Sequence, residues 1–348
     1  MSMETVRAVL GVAEDIRLGL VLERAGRREH RLGGTVCSLA ALEGARLGRL
    51  GEALLAAEHA RQEEYGRLAD LARGCGRAEV LKGAALERLY PEGVLRSSRD
   101  VDLLMPDENA MWRAVAAVAA SRPVDEARVS MIESPGRRDW AVALNWASPE
   151  SDLDHPYAVE FFTAAFVGDH ATVPLRPGRP DDPLLAGLLL IAEELFQQPP
   201  RGRDLVDTAL LLAAVPEAER GALRRAARDW SLAPELHQLA ERVCGIPLLS
   251  TPAARWAADA LADEAERERA RRAAVASASG GDAGDTKVRY GLFLGEALRA
   301  FPARVEKSPG LTVLRCPVGG FLLVDDVLVP QELADAALAR YPEAILPD

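Results

Sequence analysis

The stretch EVLKGAALERLYPEGVLRSSRDVDLLMPDENA, residues 79–110, decides how the chain is read. A short apolar run ends at Lys82-Gly83, a helix-like AALERLY follows, and Asp100-Val101-Asp102 then leads into Leu103, Leu104 and Met105. Alternate residues of a strand face the same side, so Asp100 and Asp102 project together and can converge on one cation. Magnesium suits such a pair, because it takes one or two carboxylates and completes its shell with water and phosphate oxygens. A glycine between strand and helix lets backbone N–H groups approach phosphate closely. Taken alone, two aspartates at the start of a strand are usually solvated acids; the strand, glycine turn and helix ahead of them are what favour a metal site.

The rest of the chain sets limits on that reading. Its 348 residues, 49% hydrophobic, are enough for more than one core. No run approaches the roughly 20 apolar residues of a membrane helix, and Glu4, Glu14 and Asp15 stand where a signal peptide is basic and then apolar, so a soluble cytoplasmic protein is expected. A formal net charge of −11 disfavours nucleic acid as partner, since a phosphate backbone needs a surplus of Lys and Arg. Cys37, Cys75, Cys244 and Cys316 have no C-x-x-C spacing and suggest neither zinc nor a disulfide framework.

Apolar residues at three- and four-residue intervals predict amphipathic helices over 3–25 and 38–73. Between 78 and 166 the pattern changes to short apolar runs, AEVLKG, VDLLMP, WAVALNW and YAVEFFTAAF, with one helical stretch at 107–120; this is a mixed α/β unit. Helices return over 181–275, and ASASGGDAGDT at 276–286 has the composition of a connector. In the tail, LTVLRCPVGGFLLVDDVLVP reads as a β-hairpin turning at Gly319 and Gly320.

Leu81, Lys82, Gly83, Ala85 and Leu86, followed by Arg96, Asp100, Val101, Asp102, Leu103 and Leu104, resemble the pattern L-K-G-x-A-L then R-x-x-x-D-h-D-h-h. That pattern belongs to the nucleotidyltransferase superfamily, which includes DNA polymerase β, the aminoglycoside nucleotidyltransferases and the small MNT-type proteins; the nearest branch is a group of uncharacterised bacterial nucleotidyltransferases. The resemblance covers roughly residues 78–210 and departs from the wider family at Ala84, where Ser or Gly is usual. It implies an α+β fold: a small mixed sheet with flanking helices, plus helical regions at both ends. The organisation expected is a helical N-terminal region over 1–76, the catalytic domain over 77–180, a helical substrate-binding domain over 181–275, a linker over 276–287 and a small α/β segment over 288–348.

The resemblance further implies a third carboxylate on a later strand. Glu160, inside YAVEFFTAAF, is the candidate, with Asp152 and Asp154 behind it. An ionised group there must face solvent on an edge, pair with a base or complete a metal site. With Asp100, Asp102 and Glu160 holding two magnesium ions, the implied reaction moves a nucleoside monophosphate from an NTP, with ATP the expected donor, to a hydroxyl of a small molecule or protein. Lys82, Gly83, Ala84, Arg96, Ser98, Arg99 and Arg203 are the expected nucleotide-binding residues. In PPRGRDLVDTALLL, Arg203 is read on the triphosphate and Asp204 or Asp207 toward the acceptor, against the alternative of ordinary helix capping. The alternative for the whole chain is a non-catalytic nucleotide-binding scaffold whose terminal regions dock a protein partner.

Overall fold

The computed structural model describes residues 1–82, 86–149, 155–278, 286–326 and 328–344. Gly83 and Ala84, and with them Asp152 and Asp154, lie outside the described residues. Among those described, eleven α-helices surround one mixed sheet of nine strands, an α+β architecture with helices at both ends.

Four helices open the chain: α1 (Met3–Leu10), α2 (Leu18–Gly26), α3 (Gly33–Leu42) and α4 (Gly48–Cys75). The single helix expected over 3–25 is broken because Gly11 takes a left-handed φ of 61° and caps α1. Gly44 and Gly48, at φ 80° and 66°, make a similar corner ahead of α4; glycine enters that region without the steric cost of a Cβ. The helices α1 to α3 enclose a core of their own, which also takes in Tyr90, Val94 and Val206 from later in the chain.

The sheet runs in the order β1-β2-β5-β4-β3-β6-β9-β8-β7. Its first part is β1 (Glu79–Val80), β2 (Val101–Leu104), β3 (Glu126–Ser134), β4 (Arg137–Trp146) and β5 (Tyr157–Phe162), with α5 (Glu108–Ser121) between β2 and β3. Asp107 starts α5 by accepting the Ala110 N–H at 2.8 Å, an N-cap where the apolar strand ends. The pair β2–β5 is parallel, while the other described strand pairs are antiparallel. In β5, Tyr157, Val159 and Phe161 enter the core under α4 and α5, so Ala158, Glu160 and Phe162 face the other way.

Five helices follow: α6 (Pro183–Glu193), α7 (Gly202–Ala214), α8 (Arg220–Asp229), α9 (Ala233–Cys244) and α10 (Pro252–Ala278). They enclose a second apolar core, to which Leu86 contributes. The sheet is then completed by β6 (Lys287–Gly295), β7 (Arg304–Ser308), β8 (Leu311–Cys316) and β9 (Gly319–Val324), with α11 (Gln331–Arg340) behind them. The β8–β9 hairpin turns at Pro317-Val318, two residues earlier than expected, because Cys316 pairs with Gly319 and Arg315 with Gly320. Gly320 is then free to pack on Leu298, where a Cβ would stand 2.4 Å from the leucine's own. No helix among the described residues is long and apolar enough to cross a membrane.

Candidate functional site

The carboxylate-bearing face of β2 and β5 forms the floor of a cleft of about 810 Å³, walled by α4, the corner at Arg28 to Arg31 and the facing ends of α6 and α7. Asp102 and Glu160 are direct register partners across the parallel pair. Asp100, two residues before Asp102, lies on the same side. Glu160 is flanked on its other side by Ala143 of β4, so it stands on an interior strand and has no sheet edge to turn toward.

Crowding three carboxylates on a partly buried floor is unfavourable without a cation. Burial, then the charges of Asp102 and Asp100, push Glu160 up to about 8. Burial raises Asp102 to about 6, with Lys82 opposing and Asp100 and Glu194 adding to the rise. Lys82 supplies the compensating charge: its Nζ is 3.5 Å from Asp102 Oδ2 and donates a hydrogen bond to Glu194 Oε1. Burial works against that ammonium, but Glu194 and Asp102 hold it firmly protonated. Glu194 also stays charged against burial, its carboxyl drawn down to about 2 by Lys82 and Arg203. Among the described residues no three His, Cys, Asp or Glu side chains stand together as a closed metal-ligating group. The donor set is nevertheless all carboxylate, which suits a hard cation such as magnesium; its raised proton affinities come first from burial, with repulsion among the carboxylates adding to it.

The basic residues divide into two kinds. Arg96 is 3% exposed and forks onto Asp207, with Nη2–Oδ2 at 2.8 Å and Nε–Oδ2 at 3.1 Å. Tyr90 donates to the same carboxylate at 2.7 Å. This buried triad ties the segment before β2 to α7 and engages Arg96 and Asp207 with each other. Asp204 caps α7, accepting the Arg201 N–H at 2.8 Å; the capping reading describes it. Ser98 braces the turn into β2, its hydroxyl donating to the Asp100 carbonyl at 2.7 Å.

Arg31, Arg99, Arg201 and Arg203, by contrast, gather at the Asp100 end of the cleft. Arg31 Nη1 is 3.7 Å from Asp100 Oδ2. Burial, then Arg31, Arg201 and Arg203, lower Arg99 to about 10, and burial together with Arg31 lowers Arg201. Arg31, Arg201 and Glu194 escape sequence reasoning. Glu194 alone left a signal, a charge at the end of the apolar run LLAGLLLIAEELF.

The helix α4 fixes the floor from below. The Tyr65 hydroxyl donates to the Arg99 carbonyl and accepts from the Ala158 N–H at 3.4 Å, spanning the approaches to both carboxylate strands. Arg61, 1% exposed, donates to that hydroxyl at 2.8 Å and to the carbonyls of His155 and Pro156, with its guanidinium 4.7 Å from the Tyr157 ring centroid.

No protein-family model matches the chain, and no curated protein matches it. Two solved structures from Helicobacter pylori align with it. One, named as a candidate nucleotidyltransferase, is 12% identical over 62% of this chain and 95% of its own, with a TM-score of 0.28. The other, JHP933, is 13% identical over 63% of this chain and 93% of its own, also with a TM-score of 0.28. Likenesses at that level carry no argument about fold or chemistry.

Proposed function

We propose that the chain is a magnesium-dependent nucleotidyltransferase that moves a nucleoside monophosphate, AMP from ATP in the first instance, to a hydroxyl of a small molecule or protein. The observation that carries this reading is the lateral pairing of Asp102 with Glu160, with Asp100 beside them, on the floor of a cleft walled by basic side chains. Asp100, Asp102 and Glu160 would hold magnesium, which when bound neutralises the charge that builds up on the phosphates. The acceptor oxygen forms its bond to the α-phosphorus as the bond to the pyrophosphate oxygen breaks, so no protein nucleophile is required. The proton leaves the acceptor hydroxyl for a carboxylate of the floor. Lys82 offsets part of the floor's charge until the substrate arrives and then turns from the carboxylates to a phosphate oxygen.

The test is to supply magnesium with each of the four NTPs and measure nucleotide binding and pyrophosphate release. Release with at least one NTP, lost in Asp102→Ala, supports the transferase. Binding without release, with Lys82 still bridging Asp102 and Glu194 in the nucleotide complex, assigns the chain to the non-catalytic reading instead.

A further inference from the structure

We propose that Arg31, Arg99, Arg201 and Arg203 form a phosphate-binding subsite at the Asp100 end of the cleft, one that takes a phosphate-bearing ligand without a metal. The four side chains come from three separate parts of the chain, the corner between α2 and α3, the turn into β2 and the start of α7, and line the same cavity. Two carboxylates come within salt-bridge range of them, Asp100 3.7 Å from Arg31 and Asp204 3.7 Å from Arg203, and Glu194 and Asp207 act on the cluster from further away. The four guanidinium groups stand close enough to repel one another, Arg31, Arg201 and Arg203 each acting on Arg99, whereas at the other end the single cation Lys82 sits between Asp102 and Glu194. The Nε of Arg31 is buried without a hydrogen-bond partner among the described residues, and that of Arg203, 3% exposed, has only Asp204 Oδ1 at 3.7 Å beside it, while its Nη1 donates to the Ser97 carbonyl at 3.3 Å. An orphaned buried N–H is costly, and a phosphate oxygen is the acceptor that guanidinium groups fit best.

The backbone at Arg31 supports the same assignment. Arg31 has a φ of 53°, in the left-handed region where glycine sits freely and an arginine is strained. The corner is held against α7, because the Gly202 N–H donates to the Glu29 carbonyl at 3.0 Å and the Arg203 N–H to the His30 carbonyl at 2.9 Å. Those bonds occupy two N–H groups at the helix start, so the guanidinium groups, not the helix terminus, are what meet the ligand.

The assignment does not rest on nucleotidyl transfer, and its test is run in EDTA, where no transfer occurs. Inorganic tripolyphosphate is titrated calorimetrically into the full chain, with ATP and glycerol 3-phosphate as competitors. Saturable binding is expected, weakening as salt is added and retained in Asp102→Ala. Arg31→Gly is expected to melt no lower than the wild-type chain, since glycine relieves the backbone, yet to bind tripolyphosphate about tenfold more weakly or worse. Arg31→Asn, which also tolerates the left-handed region, serves the same purpose. Displacement by ATP identifies the ligand as the donor's polyphosphate; displacement by glycerol 3-phosphate and not ATP identifies it as a phosphate on the acceptor. Absence of saturable binding, or equal affinity in the wild-type chain and both Arg31 variants, overturns the proposal.

Discussion

Glu160 is a carboxylate on an interior strand, register-paired with Asp102 on one side and Ala143 on the other, and within reach of the charge of Asp100. Its folded-state value of about 8 lies above that of an unfolded chain, so below both values it is protonated in either state and costs nothing. As pH rises between them the unfolded chain ionises first and stability falls; above about 8 the whole penalty is present. Without divalent cations, Glu160→Gln is therefore expected to melt close to the wild-type chain at low pH and progressively above it as pH rises through that window. Scanning calorimetry across pH checks this, and a constant difference would contradict it. The acidic triad was legible in the sequence because a period of two and a charge inside an apolar run are both local signals. Arg31 was not, because its place depends on a left-handed corner seating against a helix about 170 residues later, which no local pattern reports.

At the scale of elements, α4 does more than cover the sheet. Through the Tyr65 hydroxyl it reaches both the turn that ends at Asp100 and the strand that carries Glu160. Tyr65→Phe removes one hydroxyl and leaves the Arg99 carbonyl and the Ala158 N–H short of a partner, a loss of about 1–3 kcal/mol. Chemical denaturation measures that cost. If Tyr65 also positions the floor, the variant needs more magnesium for half-maximal pyrophosphate release at saturating ATP; a stability loss with an unchanged magnesium requirement would leave it a purely structural residue. Helical spacing made α4 visible as an amphipathic helix. Its role was hidden because Arg61 and Tyr65 are buried polar side chains whose partners, at residues 99 and 155 to 158, are remote in sequence.

Across the whole molecule, the sheet is continuous from β1 to β7 because β6 pairs with β3, Ser130 opposite Tyr290 and Met131 opposite Arg289. Leu314, Phe321 and Leu323 share one core with Val129, Met131 and Phe161. A chain ending at residue 278 would expose the edge of β3 and open that core, so loss of cooperative unfolding and aggregation are expected, seen by calorimetry and light scattering. A soluble truncation that unfolds cooperatively would show the tail to be separable. Neither β3 nor β6 stood out in the sequence: EARVSMIES and KVRYGLFLG mix charged and apolar residues, and their pairing spans more than 150 residues. Strand partners that far apart are set by the assembled core, not by local pattern.

The central claim, that Asp102 and Glu160 work as one site for nucleotidyl transfer, is tested most directly by pyrophosphate release from saturating ATP and magnesium in Asp102→Asn and Glu160→Gln. Both variants are predicted to stay folded, to keep tripolyphosphate binding at the arginine cluster and to lose turnover by about 100-fold or more. Wild-type turnover in either variant, or none in the wild-type chain with any NTP, would contradict it.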